Sequence, residues 1–229
     1  MYKKTINIIK HTLMLLILFH LIGCSISNNE WKILFDGKNT DQWRGFDKDY
    51  FPDASWKIEN NTLKTVVGAA STVDIITKEK YQNFELELDW KISKGGNSGI
   101  FYFVSESQNY IWQTAPEMQV LDNQYHPDGN NPLTSAGSLF ALIAPLDNKV
   151  NLVGEFNQTK IKVVDKKVEH WLNGMKIIEY IYQSDAMWNL VEKSKFRDMP
   201  HFGKSTTGHI GLQHHGEEVW YRNIRIRKL

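Results

Sequence analysis

Phe84-Glu85-Leu86-Glu87-Leu88-Asp89-Trp90-Lys91-Ile92 alternates large apolar and charged residues without a break. A period of two belongs to extended chain, whose successive side chains point to opposite faces, so the run predicts a strand with one buried and one wet face. The same period governs the chain on either side. Gly99 to Val104 is apolar on both faces and reads as a central strand covered from both sides. Lys160 to Val164 and Lys167 to Leu172 read as strands around an Asp165-Lys166 turn, and Asn173-Gly174 then turns the chain into Met175 to Tyr180. His209 to Gln213 and Val219 to Arg227 read as a final strand pair across Gly216. One segment has a helical period: Met187, Leu190, Val191 and Ser194 recur at i, i+3, i+4, i+7 behind Ser184 as N-cap. Many short strands with Gly and Asn turns predict an all-β fold, an antiparallel jelly-roll β-sandwich with one short helix.

The N-terminus is of another kind. Lys3, Lys4 and Lys10 precede an apolar run from Leu13 to Ile22, interrupted only by His20. That run is shorter than the roughly 20 residues of a membrane-spanning helix and reads as the core of a signal peptide. It ends in Leu21-Ile22-Gly23-Cys24, the lipobox pattern at which bacterial lipoprotein precursors are cleaved and diacylated. Cys24 is the chain's only cysteine, and lipidation accounts for an odd thiol in an exported protein. The expectation is a signal peptide over 1–23, a lipidated tether over 24–30 and one domain over 31–229. The lipid would hold that domain on the periplasmic side of a membrane or at the cell surface. Removing the leader takes away three lysines and turns the formal charge from +1 to −2, a balance that argues against nucleic acid as partner.

The residues that could carry chemistry sit in three places. Glu117 and Gln119 lie two apart in Pro116-Glu117-Met118-Gln119-Val120-Leu121-Asp122-Asn123, so a strand there gives them one face. Polar groups between apolar neighbours cost stability unless backbone groups or a ligand use them. Asp122 ends that strand, as a turn cap or as a site residue, and His126 follows in a loop with Pro127-Asp128-Gly129. A loop histidine beside acids suits a general base or a metal ligand. Gly95-Gly96-Asn97-Ser98-Gly99 is a turn or a backbone approach to a ligand, with Asn97 and Ser98 as its polar groups. His209, Gly211 and Gln213 share a face opposite Ile210 and Leu212, with His214 and His215 beyond. Tyr102, Trp112 and Trp220 could stack on sugar rings, and Lys195, behind the helix, could reach into a site. The acids at 85–89 run Glu-x-Glu-x-Asp, which is not the Glu-x-Asp-x-x-Glu or Glu-x-Asp-x-Glu order of sandwich-fold glucanases.

Taken in order, these segments resemble the 3-keto-disaccharide hydrolase domain family over nearly the whole of 31–229. The resemblance is carried by Leu34-Phe35-Asp36-Gly37-Lys38 with Trp43-Arg44-Gly45, by Gly95-Gly96-Asn97-Ser98-Gly99-Ile100, and by Glu117-x-Gln119-x-Leu121-Asp122 with His126-Pro127-Asp128. Gly137-Ser138-Leu139 with Ala144-Pro145, Val168-Glu169-His170-Trp171-Leu172-Asn173-Gly174, Ser194-Lys195-Phe196 and Gly208-His209-Ile210-Gly211-Leu212-Gln213 complete it. The chain departs from the family at Leu212-Gln213-His214-His215-Gly216, where the usual run is Leu-Gln-Asp-His-Gly. The resemblance implies a concanavalin A-like jelly roll that cleaves glycosides already oxidised to a ketone at C3. A 3-ketone acidifies the C2 proton; a base removes it and the C1 substituent is expelled, after which water adds to the enone for a net hydrolysis, or the enone is released first and the enzyme is a 1,2-lyase. On that expectation Glu117 or His126 is the base and Asp122 orients it. Asn97, Ser98, Tyr102, Gln119, Lys195, His209, Gln213 and His214 hold the sugar and the enolate. The resemblance names no cofactor, and a divalent metal could take the place of the protein's oxyanion donors. An oxidised substrate also implies a partner sugar 3-dehydrogenase. The alternatives are a non-catalytic carbohydrate-binding lipoprotein and an ordinary glycoside hydrolase with two facing carboxylates about 5–10 Å apart.

Overall fold

A computed structural model describes residues 30–147 and 149–229. The leader, Cys24 and most of the 24–30 tether lie outside them. The strands are β1 (Lys32–Phe35), β2 (Trp43–Gly45), β3 (Trp56–Glu59), β4 (Thr62–Thr65), β5 (Ile75–Thr77), β6 (Phe84–Ile92) and β7 (Asn97–Val104). They continue as β8 (Glu117–Leu121), β9 (Asn157–Val164), β10 (Lys167–Leu172), β11 (Met175–Ile181), β12 (His209–Leu212) and β13 (Val219–Lys228). Helix α1 (Asp185–Glu192) follows β11. Its Ser184 cap accepts the Met187 N–H at 3.2 Å, and Met187 and Val191 are its buried residues.

The strands form two antiparallel sheets. The larger is ordered β11-β10-β9-β6-β13-β4-β3 with β1 also on β13; the smaller is β2-β5-β12-β7-β8. Their inner faces meet in one core, to which β6 gives Phe84, Leu86, Leu88, Trp90 and Ile92, β7 gives Ile100 and Tyr102, and β13 gives Tyr221, Ile224 and Ile226. This is the sandwich that the period of two predicts, and β7 is buried along its whole length as expected.

Two details differ from the expectation. The polar face of β6 is not wet: Glu85 and Asp89 are only 6% and 8% exposed. β13 lays Arg227, Arg225 and Arg222 against Glu85, Glu87 and Asp89, while β9 sets Lys162 and Lys160 on their other side. Charges of alternating sign across neighbouring strands thus cover one another. A groove of about 720 Å³ runs over this outer face, between Trp171, Lys160, Glu87, Arg225 and Ile33.

The expected terminal strand pair does not form. β12 lies between β5 and β7 in the smaller sheet, and β13 pairs with β6, β4 and β1 in the larger. Both strands carry apolar residues on one face, and those faces meet across the core instead of lying side by side. Residues 213–218 make the crossing: the Gln213 N–H still bonds the Gly99 carbonyl, whereas the Glu218 carbonyl already accepts from Ser93.

Candidate functional site

The outer face of the smaller sheet is assembled by simple parity. On β7, Ser98, Ile100 and Tyr102 point into the core, so Asn97, Gly99 and Phe101 point out. β8 pairs Gln119 with Gly99 and Glu117 with Phe101, which puts both polar side chains on that outer face. The far edge of β8 is closed by the following loop, whose Gly137 and Phe140 N–H groups bond the Gln119 and Glu117 carbonyls at 2.8 and 3.0 Å. Glu117 and Gln119 are therefore fixed by backbone on both sides.

Gly99 makes the room. A Cβ built there would lie 2.0 Å from Glu117 Oε1 and 2.7 Å from its Cδ, so the Glu117 carboxyl lies folded over the bare backbone of β7. Glu117 is 7% exposed, and its carboxyl makes no hydrogen bond to a described residue. Burial pushes its pKa from 4.5 to about 8; Lys195 pulls the other way, and Asp74 and Asp128 add to the rise. Gln119 is 1% exposed, and its Oε1 has no partner among the described residues. An amide oxygen left without a partner, beside an acid that bonds no described residue, is costly in a folded core and points to a ligand that completes it. Gly99→Ala is accordingly expected to displace Glu117 and cut turnover about 100-fold. The check is turnover measured beside a melting curve; full activity in a folded variant would remove Gly99 from this account.

Asp74, Asp128 and Lys195 lie near enough to Glu117 to act on its charge, His126 stands beside Asp128, and His215 acts on Asp74. Asp74 shares parity with Ile76 on β5 and so faces the same way. Its Oδ1 accepts the His214 N–H at 2.8 Å, and burial pushes its pKa from 3.8 to about 6. His126 caps the turn at Pro127–Asn130: its Nδ1 accepts the Asp128 N–H at 3.1 Å, so the neutral ring carries its proton on Nε2. The His215 ring meets it edge-on, 6.4 Å between centroids, with its own Nδ1 3.1 Å from Glu217. Lys195 is exposed, and its ammonium lies 4.2 Å from the Phe140 ring and 5.8 Å from Trp112. Desolvation at that end lowers its pKa, while Glu117 and Asp128 raise it.

Not every residue singled out from sequence joins this group. Asp122 accepts the Gly95, Gln124 and Tyr125 N–H groups with its carboxylate, and its carbonyl accepts from His126 N. It holds the His126 turn by backbone and does not touch the imidazole. Asn97 lies buried on the outer face two residues from Gly99, and Gln213 reaches the cluster's edge through its bond to Gly99. Ser98 points inward, bonding the Gln213 carbonyl and the Tyr221 hydroxyl, both at 2.7 Å. Tyr102 lies in the core, with its hydroxyl on His170 Nε2 and Tyr180, where no sugar can stack on it. His214 also turns inward, against Trp56 and the Val66 carbonyl. His209 stands apart: its Nδ1 lies 2.6 Å from the Thr77 carbonyl, and its charged neighbours are Arg44, Glu106 and Lys80. Asp74 and His215 are the residues missed. Parity with Ile76 was the available signal for Asp74; for His215 it was its match to the histidine of the family's Leu-Gln-Asp-His-Gly run. Among the described residues no three His, Cys, Asp or Glu side chains converge to hold a metal.

The buried acid, the unpartnered amide oxygen and the neighbouring lysine on this sheet face offer the groups that a polar ligand would use. Comparison with known proteins gives the family. The model of the 3-keto-alpha-glucoside-1,2-lyase-like domain matches residues 30–227. A 3-keto-disaccharide hydrolase from Bacteroides thetaiotaomicron is 36% identical over 225 residues, which span 86% of this chain and 77% of that protein. A crystal structure from Parabacteroides distasonis, provisionally named a glycosyl hydrolase, superposes with a TM-score of 0.80 at 31% identity and covers 87% of this chain and 94% of its own. A Bacillus subtilis protein with a galectin-like fold shares the jelly-roll sandwich alone, with a TM-score of 0.54 at 13% identity over 87% of this chain and 94% of that one. The protein is thus a carbohydrate-active hydrolase of the glycosidase type on a concanavalin-like sandwich. By its sequence over residues 30–227, the chain belongs to the 3-keto-alpha-glucoside-1,2-lyase-like domain family.

Proposed function

We propose that this protein cleaves 3-keto-glycosides by elimination at C1–C2 followed by hydration, with Glu117 as the base. The observation that carries the reading is the Glu117 carboxyl itself: buried, without a hydrogen bond to any described residue, and with its pKa raised to about 8. A carbon acid needs a stronger base than an ordinary carboxylate, and desolvation supplies one. Ionised Glu117 takes the C2 proton, and the C2–H electron pair moves into the C2–C3 bond as the ketone becomes an enolate. The Lys195 ammonium and the Gln119 amide stabilise the oxygen on which that charge develops. As the ketone re-forms, the C1–O bond breaks, leaving a C1=C2 double bond. The departing oxygen takes the proton that Glu117 received. Water then adds across C1=C2, hydroxyl to C1 and hydrogen to C2, so the net reaction is hydrolysis.

In its neutral form His126 presents Nε2–H, which suits it to donate a hydrogen bond to a sugar or leaving-group oxygen. The one nitrogen of that ring able to accept a proton already accepts the Asp128 N–H. The base role therefore falls to Glu117. The substrate's C3 ketone must come from a sugar 3-dehydrogenase acting upstream. The Cys24 lipid, if attached, would hold both steps at a membrane surface outside the cytoplasm.

The test is to incubate the purified domain with a 3-keto-glycoside and, separately, with its unoxidised parent. Only the ketone should be consumed. Equal rates on both would mean an ordinary glycoside hydrolase, and turnover of neither would leave a carbohydrate-binding protein.

A further inference from the structure

Tyr110 and Trp112 form an offset stack at the rim of this site, with ring centroids 5.5 Å apart and 12° between planes. Tyr110 is 57% exposed, although an exposed ring contributes little to the core. The stack is held rigidly. Ile111, between the two rings in sequence, drives its side chain down onto β12, where a Cβ at Gly211 would lie 2.4 Å from Ile111 Cδ1. The Tyr110 N–H bonds Gln113 Oε1 at 3.1 Å, and Thr114 ties the turn to the Ser105 carbonyl at 3.0 Å and to Gly203 N at 3.0 Å. After Thr114, Ala115 and Pro116 the chain enters β8 at Glu117. On the other side, the Lys195 ammonium lies 5.8 Å from the Trp112 ring and is near enough to Glu117 to perturb its pKa. Lys195 thus stands between the buried acid and the stack, in which Trp112 is half-buried and Tyr110 exposed.

We propose that the Tyr110–Trp112 pair is the binding platform for a second, non-reacting sugar ring, so that this site selects disaccharide-length or longer glycosides over glycosides with small aglycones. The C–H face of a pyranose is apolar and flat, and it covers an aromatic ring without needing hydrogen bonds from it. The reacting ring sits over Glu117 and Gln119, and the neighbouring ring extends past Lys195 onto the stack. The inference rests on the elimination chemistry only for which ring reacts; the length preference is a matter of binding.

Binding and turnover therefore test it separately. Calorimetry on the Glu117→Gln protein should show a 3-keto-disaccharide binding about tenfold more tightly than 3-keto methyl glucoside. Adding Tyr110→Ala or Trp112→Ala should erase that ratio, whereas Tyr110→Phe, which preserves the stack, should keep it. In the wild-type background the alanine variants should raise KM for the disaccharide more than for the methyl glucoside. A ratio near one without the alanine changes, or one that survives both of them, overturns the platform. If neither ketone is turned over but the binding ratio behaves as stated, the platform stands and the elimination falls.

Discussion

Replacing Glu117 with glutamine is expected to lower kcat on a 3-keto-glycoside by about 1,000-fold or more and, in the same protein, to raise stability at alkaline pH. The activity loss follows from removing the group proposed to take the C2 proton, since positioned bases contribute about 10² to 10⁴ in rate. The stability gain follows from linkage. Burial raises the folded-state pKa of Glu117 from 4.5 to about 8. Below about 4.5 both folded and unfolded chains hold the proton, and nothing is lost. Between about 4.5 and 8 the unfolded chain releases it while the folded chain keeps it, so stability falls as pH rises. Above about 8 the cost is constant, on the order of a few kcal/mol. Glutamine is neutral throughout and escapes that cost. Melting curves should therefore show the variant about 5 °C or more above wild type at pH 9 and close to it at pH 5. The sign of the pH–rate profile separates base from acid: with Glu117 as base, kcat/KM rises with pH and levels off near 8. A limb that falls near 8 would make Glu117 a proton donor and refute its assignment here.

The sheets could be read from sequence because period two is a local property, and burial of one face enforces it wherever the core is close. That is why β6, β7, β10 and the Asn173-Gly174 hairpin lie where the pattern puts them. Pairing partners are not local. β12 and β13 are separated by a short crossing, and only the meeting of their apolar faces across the core assigns them to different sheets. The site divides along the same line. Glu117 and Gln119 were legible because parity on one strand is enough to place them. Asp74 was not, because the strand it leads into has only three residues, Ile75–Thr77, and its relevance depends on β5 lying two strands from β7. Tyr102 and His214 misled for a related reason. An aromatic or imidazole beside a site residue has even odds of facing inward, and here each does, bonded to Tyr180 and packed on Trp56 respectively. His209 is on the correct face but one strand-row away, beside Val104, where the Arg44–Glu106 pair and not Glu117 is its electrostatic neighbour. A face can be predicted from alternation; a distance along it cannot.

Lys195 carries the second large effect. Lys195→Met keeps a stem able to pack on Phe140 and Trp112 but removes the charge, and is expected to lower kcat/KM about 100- to 1,000-fold by depriving the enolate oxygen of its cation. Loss of activity alone would not distinguish this from a damaged cleft, but the pH profile would. Lys195 is the neighbour that holds the Glu117 pKa down, against burial and against Asp74 and Asp128. Without its charge the rising limb of kcat/KM must move to higher pH. Asp128→Asn removes one of the charges that push Glu117 up, so its limb must move to lower pH. Two substitutions on opposite sides of one carboxyl, shifting one limb in opposite directions, require that carboxyl to be the group titrating in the rate. A limb that stays fixed in both variants would mean that some other group sets the pH dependence, and Lys195 would then be left as packing for Phe140.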